Sequence, residues 1–224
     1  MLTRRQLRYG AGLLLGIAGL GLGLFLLQKP VLLADVDYSR AVFDRNGKLL
    51  QLTLTRDEQY RLFTPLAQIS PQLRQAVLLH EDQHFYNHPG INPVALARAF
   101  AATYLDGARR MGASTITMQL ARLTAHLNSR SIPGKLVQML YALRLELHYS
   151  KDELLEAYLN RAPYGGNIEG VGAASLVYYR TQPIALSLPQ ALTLAVIPQS
   201  PARRQPAPRA GLPRGRQRTF SAQS

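Results

Sequence analysis

The 224-residue chain contains no cysteine, which excludes disulfide bonds, cysteine-bearing zinc sites and a thiol nucleophile. Acidic residues are also scarce, since 13 Asp and Glu stand against 26 Lys and Arg, for a formal net charge of +13. Such a charge indicates an anionic partner: nucleic acid, a membrane surface or a phosphorylated ligand. Six arginines and no acid follow Pro201, so much of the positive charge belongs to a tail.

Polar side chains are missing from residues 10–27, and a run of this length lies at the lower limit of a membrane span. Arginines precede the run and two aspartates follow it, so the positive-inside rule predicts a cytoplasmic N-terminus and an external main domain. A cleaved signal peptide is the competing interpretation. The run is long for a signal peptide, and Leu33-Ala34-Asp35 is a poor cleavage site, so a retained anchor is favoured.

Composition and periodicity divide the chain into five parts. Residues 1–9 form a basic cytoplasmic N-terminus, 10–33 a transmembrane anchor, and 34–69 a juxtamembrane linker with a β-hairpin. Residues 70–200 form the main domain. Residues 201–224 form a basic tail that we expect to be disordered, because it is rich in Pro, Arg, Ala, Gly and Gln and has no apolar periodicity.

The hairpin is predicted over residues 41–55, around an Asn46-Gly47 pair that favours a type I′ turn. Beyond Ser70 the pattern is mainly helical. Helix starts are predicted at Ser70-Pro71, Asn92-Pro93, Ser114, Ser131-Pro133, Ser150 with Glu153, and Ser187 with Gln190. The helix after Ser131 carries an apolar stripe of Leu136, Met139, Leu140, Leu143 and Leu147, and a glycine-rich loop is predicted from Pro163 to Gly172.

Residues 80–90 concentrate two adjacent carboxylates, three histidines and two aromatic residues before a Pro-Gly pair. Helical spacing places Glu81 on the apolar stripe of Val77, with Phe85 one turn further on and Asp82 about 100° round the helix. Desolvation and the helix dipole both disfavour a charged carboxylate at such a position, which suits a general base. A solvated carboxylate at a frayed helix end is the alternative, and these residues alone leave it open.

A glycine-serine-threonine stretch at residues 112–117 enters a helix, where backbone N–H groups and hydroxyls suit a phosphate or sugar oxygen. An ordinary N-cap is the alternative. Arg122, Arg130 and Lys135 follow closely in sequence, and a cationic cluster beside a helix N-terminus suits a pyrophosphate. Three unrelated surface charges are the alternative for these residues.

Five motifs occur in an order that resembles the signatures of the family 51 glycosyltransferases, the peptidoglycan polymerases of class A penicillin-binding proteins. Any one of them is a weak signal, whereas five in order behind a membrane anchor are highly specific. They are Glu81-Asp82-x-x-Phe85-x-x-His88-x-Gly90, Gly112-x-Ser114-Thr115-Ile116-Thr117-x-Gln119, Lys135-x-x-Gln138, Leu155-Glu156-x-Tyr158-Leu159-Asn160 and Gly170-x-x-Ala173-Ala174.

The resemblance implies a mainly α, lysozyme-like glycosyltransferase domain with a small β-hairpin and an N-terminal transmembrane helix, on the outer face of the cytoplasmic membrane. Such a domain polymerises lipid II into β-1,4-linked glycan strands and releases undecaprenyl pyrophosphate, in cell-wall biosynthesis. The implied partners are lipid II, the nascent strand, the cytoplasmic membrane and other cell-wall synthesis proteins, without nucleic acid. No cofactor is required, and a divalent cation (Mg²⁺ or Mn²⁺) is optional.

The same resemblance assigns roles to particular residues. Glu81 is the expected catalytic base and Asp82 a supporting carboxylate, and no metal ligands are expected. Residues expected to bind substrate or shape its site are His88, Gly90, Ser114, Thr115, Gln119, Arg122, Arg130, Lys135 and Gln138. Among these, Ser114, Thr115 and Gln119 are expected on the donor side, whereas the basic residues are expected to hold the pyrophosphate.

Three positions depart from the common family pattern: Met118 replaces a glutamine, Gly134 an arginine and Gln138 a glutamate. These departures are similar to those of the penicillin-binding protein 1C branch. They call into question any role at position 138 that needs a carboxylate, because glutamine cannot ionise. The Ser-x-x-Lys and Lys-Thr-Gly motifs of a transpeptidase do not occur, and the sequence diverges from the family after residue 201, so a chain truncated before the transpeptidase domain is expected.

Two other functions remain open at this level. A catalytically degenerate remnant that binds lipid II or a partner protein is consistent with Gln138 and the short C-terminus. A lysozyme-type hydrolase shares the helical architecture and an acidic glutamate, but it commonly needs a second carboxylate at a fixed separation. The predicted anchor and basic cluster weigh against hydrolysis.

Overall fold

The structure is a computed structural model that describes residues 16, 19, 21–47, 49–104, 114–129, 131–198 and 219–221, with the backbone alone at 99–104 and 219–221. The predicted N-terminus at 1–9, much of the predicted anchor, most of the tail and Arg130 therefore lie outside the described residues. Residues 21–26 are helical. Among the helices of the described residues, none is both long and apolar enough to cross a membrane.

The described chain is mainly helical, as predicted, with two small three-stranded sheets. The helices are α1 (Pro71–Glu81), α2 (Pro93–Tyr104), α3 (Ile116–Thr124), α4 (Ile132–His148), α5 (Lys151–Arg161), α6 (Val171–Tyr179) and α7 (Leu188–Val196). The strands are β1 (Ala41–Phe43), β2 (Leu49–Thr53), β3 (Tyr60–Arg61), β4 (Pro163–Gly165), β5 (Ile168–Glu169) and β6 (Thr219–Ser221).

One continuous apolar core is built where α1 packs against α7 and where α3 packs against both α4 and α5. Each of these helices contributes side chains that are almost fully buried, among them Leu73, Leu120, Leu145, Tyr158 and Leu194. Burial of each such side chain contributes about 1.5–3 kcal/mol to folding. This core holds the C-terminus of α1 beside the N-terminus of α3, the region in which the candidate site lies.

The predicted hairpin forms, with β1 and β2 antiparallel and β6 added at the other edge of β2. Its turn is not type I′, because the positive φ falls on Gly47 (78°) and not on Asn46. Gly47 N donates to Asp44 O over 3.0 Å, which describes a type I turn followed by a glycine bulge. The register shifts at Phe43 accordingly, and Leu52 is buried whereas Leu50 is exposed.

Most predicted helix starts are confirmed by their caps. Ser70 Oγ accepts from Leu73 N over 3.2 Å, and Asn92 Oδ1 accepts from Ala95 N over 3.0 Å. Ser150 and Glu153 form the predicted capping box. The start of α3 lies one residue later than predicted, because Thr115 and not Ser114 is the N-cap.

The apolar stripe predicted on α4 is not its buried face. Leu136 is 55% exposed and Leu140 42%, whereas Gln138, Ala142 and Leu145 are buried. The reason lies in the tertiary packing. Helices α3 and α5 pack onto the face of α4 that carries Gln138, so the side of α4 with more leucines faces outward. A polar amide therefore occupies the centre of a helix interface.

The prediction of a glycine-rich loop from Pro163 to Gly172 is partly wrong, because most of this segment forms β4 and β5 and the turn between them. Strand β5 also pairs in parallel with β3, so residues 60–61, within the segment predicted as a linker, join the sheet of the main domain. Arg61 reinforces this junction through ion pairs of 2.7 Å to Asp57 and to Glu169.

The fourth motif joins the same segment to α5 through backbone hydrogen bonds. Asn160 Oδ1 accepts from Thr64 N over 2.8 Å and its Nδ2 donates to Thr64 O over 2.9 Å. Glu156 Oε2 accepts from Leu66 N over 2.7 Å. Both side chains therefore satisfy backbone groups of residues 64–66, which would otherwise be left without partners inside the domain.

Candidate active site

The two adjacent carboxylates are separated by the end of α1. Glu81 is its last residue, and Asp82 is the C-cap, with an extended φ of −162°. Because the helix ends here, Asp82 turns into the protein and is buried, whereas Glu81 remains half-buried at the edge of a cleft. Phe85 was predicted to continue the apolar stripe of this helix by one turn; it is buried, but it belongs to a short 3-10 turn and not to a continued α-helix.

Asp82 connects three segments of the chain. Its carboxylate lies 2.9 and 3.0 Å from His88 Nε2 and accepts from Ile116 N over 3.1 Å. Because it accepts from the first residue of α3, it also complements the positive end of that helix. Asp82 and His88 therefore fix the turn of residues 82–90 against α3.

Among the described residues, Glu81 is held by one side-chain donor. Gln119 Nε2 donates to Glu81 Oε2 over 2.7 Å, and the hydroxyl of Tyr158 lies 3.5 Å from Gln119 Oε1. The other oxygen, Glu81 Oε1, is buried without a hydrogen-bond partner among the described residues. Burial and the nearby Glu81 raise the pKa of Tyr158 well above its ordinary value, and the same two causes raise the pKa of Tyr164. Both phenols behind the carboxylate are therefore neutral at physiological pH.

The N-terminus of α3 forms the opposite side of the cleft. Thr115 Oγ1 accepts from Met118 N over 3.1 Å as the helix cap and donates to Gly90 O over 2.5 Å. Gly90 has a φ of 80°, and a Cβ there would lie 2.8 Å from Glu146 Cγ, so only glycine fits this turn. The hydroxyl of Ser114 takes no part in this cap, and Ser114 lines the cleft.

Lys135 approaches the same helix N-terminus from α4. Its Nζ donates to Ser114 Oγ over 2.6 Å and to Gln138 Oε1 over 2.8 Å. Burial, followed by the charge of Arg122, lowers the pKa of Lys135 from its ordinary value of 10.5. Neither Lys135 nor Arg122 forms an ion pair with an acid among the described residues, so this side of the site keeps its positive charge.

The cleft beside Glu81 has a volume of about 170 Å³. Of the predicted site residues, Glu81, Asp82, Ser114 and Thr115 line it, together with Gln83, His84, Asn92, Ala95 and Arg98. Arg98 and His84 were not predicted. They lie in the predicted helices and turn, but no chemical pattern in the sequence distinguishes them from other exposed Arg and His side chains.

The remaining predicted residues lie around the cleft and not in its wall. His88 and Gly90 are buried within the turn, Gln119 lies behind Glu81, and Gln138 lies behind Lys135. Lys151 was not predicted; its Nζ donates to His88 O over 2.6 Å and pairs with Glu146 over 2.8 Å. It thereby supports the turn, and the same oxygen of Glu146 also accepts from Thr117 of α3 over 2.5 Å.

The transglycosylase family model matches residues 46–223 of this sequence. The chain belongs to the transglycosylase family. It is similar to penicillin-binding protein 1C of Escherichia coli, with 40% identity over 177 residues that cover 79% of this chain and 23% of that protein. It is 33% identical to penicillin-binding protein 4 of Bacillus subtilis over 78% of this chain and 28% of that protein. It is 35% identical to penicillin-binding protein 1A of Escherichia coli over 71% of this chain and 18% of that protein.

The predicted resemblance, including that to the 1C branch, is confirmed by these matches. The chain spans between about one fifth and somewhat over one quarter of the length of these curated relatives. A crystal structure of penicillin-binding protein 1A from Haemophilus influenzae aligns with a TM-score of 0.36 and 19% identity, over 75% of this chain and 15% of that one. Family membership rests on the sequence matches and not on this alignment.

In this transglycosylase chain the motifs differ in what they do locally. The first two meet at the cleft, where Glu81 faces Ser114 and Thr115. The fourth attaches residues 64–66 to the domain. In the fifth, Gly170 has a φ of 83°, and a Cβ there would lie 2.7 Å from Asn160 O. The fourth and fifth motifs therefore support the scaffold, whereas the first two form the cleft.

Proposed function

We propose that the chain is a peptidoglycan glycosyltransferase that polymerises lipid II into β-1,4-linked glycan strands and releases undecaprenyl pyrophosphate. The observation that carries this proposal is the carboxylate of Glu81 at the cleft, held through Oε2 by Gln119 and with Oε1 unpaired among the described residues. An oriented carboxylate with one free oxygen suits a general base. Membership of the transglycosylase family supports the substrate class.

In the proposed reaction, Glu81 takes the proton of the 4-hydroxyl of the acceptor N-acetylglucosamine. The hydroxyl oxygen forms a bond to the anomeric carbon of the donor N-acetylmuramic acid. The bond from that carbon to the pyrophosphate oxygen breaks, and its electron pair leaves with undecaprenyl pyrophosphate. One displacement inverts the anomeric centre, so a single base suffices and the leaving group needs charge stabilisation rather than a proton.

The charge stabilisation is proposed to come from the second side of the cleft. Lys135 and Arg122 carry positive charge without acidic partners among the described residues, and Lys135 contacts Ser114 at the start of α3. Cations and backbone N–H groups at a helix N-terminus together suit a pyrophosphate. Arg130, which lies outside the described residues, is proposed to contribute to the same cluster by its family position.

The supporting residues are proposed to act by position. Asp82 and His88 fix the turn that presents Glu81, and Gly90 allows that turn to reach Thr115. Gln119 orients the base directly. Because both oxygens of Asp82 already accept hydrogen bonds, its carboxylate supports the site instead of acting as the second reacting carboxylate that a lysozyme-type hydrolase uses.

No step is assigned to a metal ion. Within the described part of the chain, no group of three or more His, Asp or Glu side chains could hold one. Independence from a required cofactor, with Mg²⁺ or Mn²⁺ optional, stays a prediction that chelation tests during turnover.

We further propose that the chain acts at the cytoplasmic membrane, anchored by residues 10–33 with its N-terminus inside and its catalytic domain outside. The apolar run and its flanking charges support this placement. The proposed partners are lipid II, the nascent strand and other cell-wall synthesis proteins. A lipid-linked substrate is consistent with a domain held at the membrane surface.

The proposal is tested with the full chain in lipid nanodiscs and fluorescent lipid II. The unmodified chain is expected to form glycan polymers, and Glu81→Gln is expected to slow the reaction about a hundredfold or more. Glu58→Gln, which alters an exposed glutamate outside the lining of the cleft, is the matched control. A chain that binds lipid II without polymerising it would favour the degenerate remnant, and release of soluble fragments from finished peptidoglycan would favour a hydrolase.

A further inference from the structure

Gln138 is a buried polar side chain at the interface between α3 and α4, and both of its amide groups are engaged. It is 1% exposed. Its Oε1 accepts from Lys135 Nζ over 2.8 Å, and its Nε2 donates to the backbone carbonyl of Met118 in α3. This arrangement fixes the amide in one orientation, because only its nitrogen can donate to a carbonyl oxygen.

The two partners of Gln138 belong to different helices, and both matter for the site. Met118 lies in the first turn of α3, whose N-terminus forms one side of the cleft. Lys135 lies three residues before Gln138 on α4, so both side chains extend from the same helix face. Gln138 therefore couples the position of the Lys135 ammonium to the position of α3.

Among the described residues, Lys135 has two acceptors, and both are neutral: the hydroxyl of Ser114 and the amide of Gln138. The ammonium has a third N–H without a partner among the described residues. A carboxylate at position 138 would change this situation in two ways. It could not donate to the carbonyl of Met118, and it would form an ion pair with Lys135 that compensates the charge of this ammonium.

We propose that Gln138 is a positioning residue that holds the Lys135 ammonium beside the N-terminus of α3 with its charge uncompensated, so that it binds the pyrophosphate of the leaving group. The inference rests on the proposed function for the identity of the anion. It differs from the family expectation for this position, because the amide is required here and the carboxylate of the common pattern is harmful. Met118 and Gln138, two of the positions that depart from that pattern, are in direct contact.

A double-mutant cycle tests whether Gln138 acts through Lys135. Binding of inorganic pyrophosphate to the full chain in detergent is measured by calorimetry for Lys135→Met, Gln138→Met and the double variant. Each single substitution is expected to weaken binding. Gln138→Met is expected to weaken it by roughly fivefold to tenfold, because Lys135 then loses the acceptor of a charge-assisted hydrogen bond. The double variant is expected to bind like Lys135→Met alone. Additive effects of the two substitutions would overturn the proposal.

The charge argument is tested by Gln138→Glu. This variant is expected to weaken pyrophosphate binding by about tenfold or more, because the introduced carboxylate pairs with Lys135 and repels the anion. Gln75→Glu makes the same charge change on the exposed face of α1 and is expected to alter binding less than about twofold. Tighter or unchanged binding by Gln138→Glu would overturn the proposal, and if that variant does not fold, the methionine cycle decides.

Turnover of lipid II separates this proposal from the proposed function. Gln138→Met is expected to lower kcat more than it raises KM, because charge on the pyrophosphate grows as the glycosidic bond breaks. A residue that only stabilises the fold would instead lower the amount of active protein and leave both constants unchanged. An unmodified chain that shows the pyrophosphate coupling without polymerising lipid II would refute the proposed function alone. Polymerisation without pyrophosphate binding or coupling would refute the role of Gln138 alone.

Discussion

Gln119 donates a hydrogen bond of 2.7 Å to one oxygen of Glu81 and leaves the other oxygen buried without a partner among the described residues. The amide orients the carboxylate, because a carboxylate only accepts and the Nε2 side of Gln119 must face it. Under the proposed function, this unpaired oxygen is the one assigned to take the proton of the acceptor hydroxyl. This hydrogen bond joins the first and second motifs beside the cleft.

Replacing Gln119 should therefore impair turnover without removing the base. Gln119→Leu is expected to lower kcat for lipid II polymerisation by about a hundredfold, since misplacement of a catalytic group by about 1 Å has an effect of this size. Steady-state kinetics in nanodiscs measures the change, with the exposed Gln68→Leu as control. An unchanged kcat in Gln119→Leu would show that Glu81 needs no orienting donor.

Tyr158 is expected to contribute much less. Its hydroxyl lies 3.5 Å from Gln119 Oε1, at the limit of a hydrogen bond, so Tyr158→Phe should lower kcat by no more than about threefold. The same assay measures this change. A loss as large as that of Gln119→Leu would mean that the phenol contacts the reacting groups directly.

Pyrophosphate binding should weaken at a lower pH than it would if Lys135 had the ordinary pKa of a lysine. Burial and Arg122 lower the pKa of Lys135 below 10.5, and an amine is positively charged only below its pKa. Pyrophosphate affinity is therefore expected to fall as the pH rises toward 10.5, and Lys135→Arg should shift that fall to higher pH, because arginine stays charged. Calorimetric titrations between about pH 7 and pH 10 measure it. If the unmodified chain and Lys135→Arg showed the same pH dependence, the loss of pyrophosphate affinity would come from the titration of another group.

The fourth motif should matter for stability more than for chemistry. Asn160→Ala leaves the N–H and the carbonyl of Thr64 without their side-chain partner inside the domain, so the free energy of unfolding is expected to fall by about 2–4 kcal/mol. Urea denaturation measures the loss. Asn167→Ala removes an exposed hydrogen bond of 3.2 Å to Glu58 O and should cost only about 0.5 kcal/mol. Equal losses in the two variants would contradict the role assigned to Asn160.

Acid should weaken the junction between β3 and β5 through Asp57. The hydrogen bonds from Arg61 lower the pKa of Asp57 from 3.8 to about 2. A carboxylate with a lower pKa in the folded state stabilises the protein above pH 3.8, and that stabilisation disappears as the pH falls through about 2. Because the side chain is 55% exposed, Asp57→Asn is expected to cost only about 1 kcal/mol at pH 7. Denaturation of the unmodified chain and of Asp57→Asn at pH 7 and near pH 2 measures the difference in their free energies of unfolding. This difference should vanish in acid.

The features that the sequence predicts correctly are those that depend on neighbouring residues. Ser70 caps α1 and Ser150 with Glu153 caps α5, because the donor and acceptor of each cap lie within three residues of one another. The motif order likewise identifies the family without any structure. The hairpin position is correct for the same reason, although the type of its turn was decided by the bulge at Gly47.

The buried face of α4 could not be predicted from periodicity. Leu136 and Leu140 form a more apolar stripe than Gln138 and Ala142, yet the second set is buried. The buried face of α4 is set by its packing against α3, where the carbonyl of Met118 accepts a hydrogen bond from the amide of Gln138. A contact between residues 20 positions apart leaves no periodic signal in either helix.

By itself, the sequence determined most helix starts, the motif order and the family, because each depends on residue types at short and regular spacing. Only the tertiary structure decided that Glu81 faces the cleft while Asp82 turns inward to Ile116, and that Lys135 meets neutral acceptors. These relationships depend on how the end of α1, the start of α3 and one face of α4 pack together. The packing of segments that are distant in sequence therefore determines which polar groups lie next to one another at the cleft.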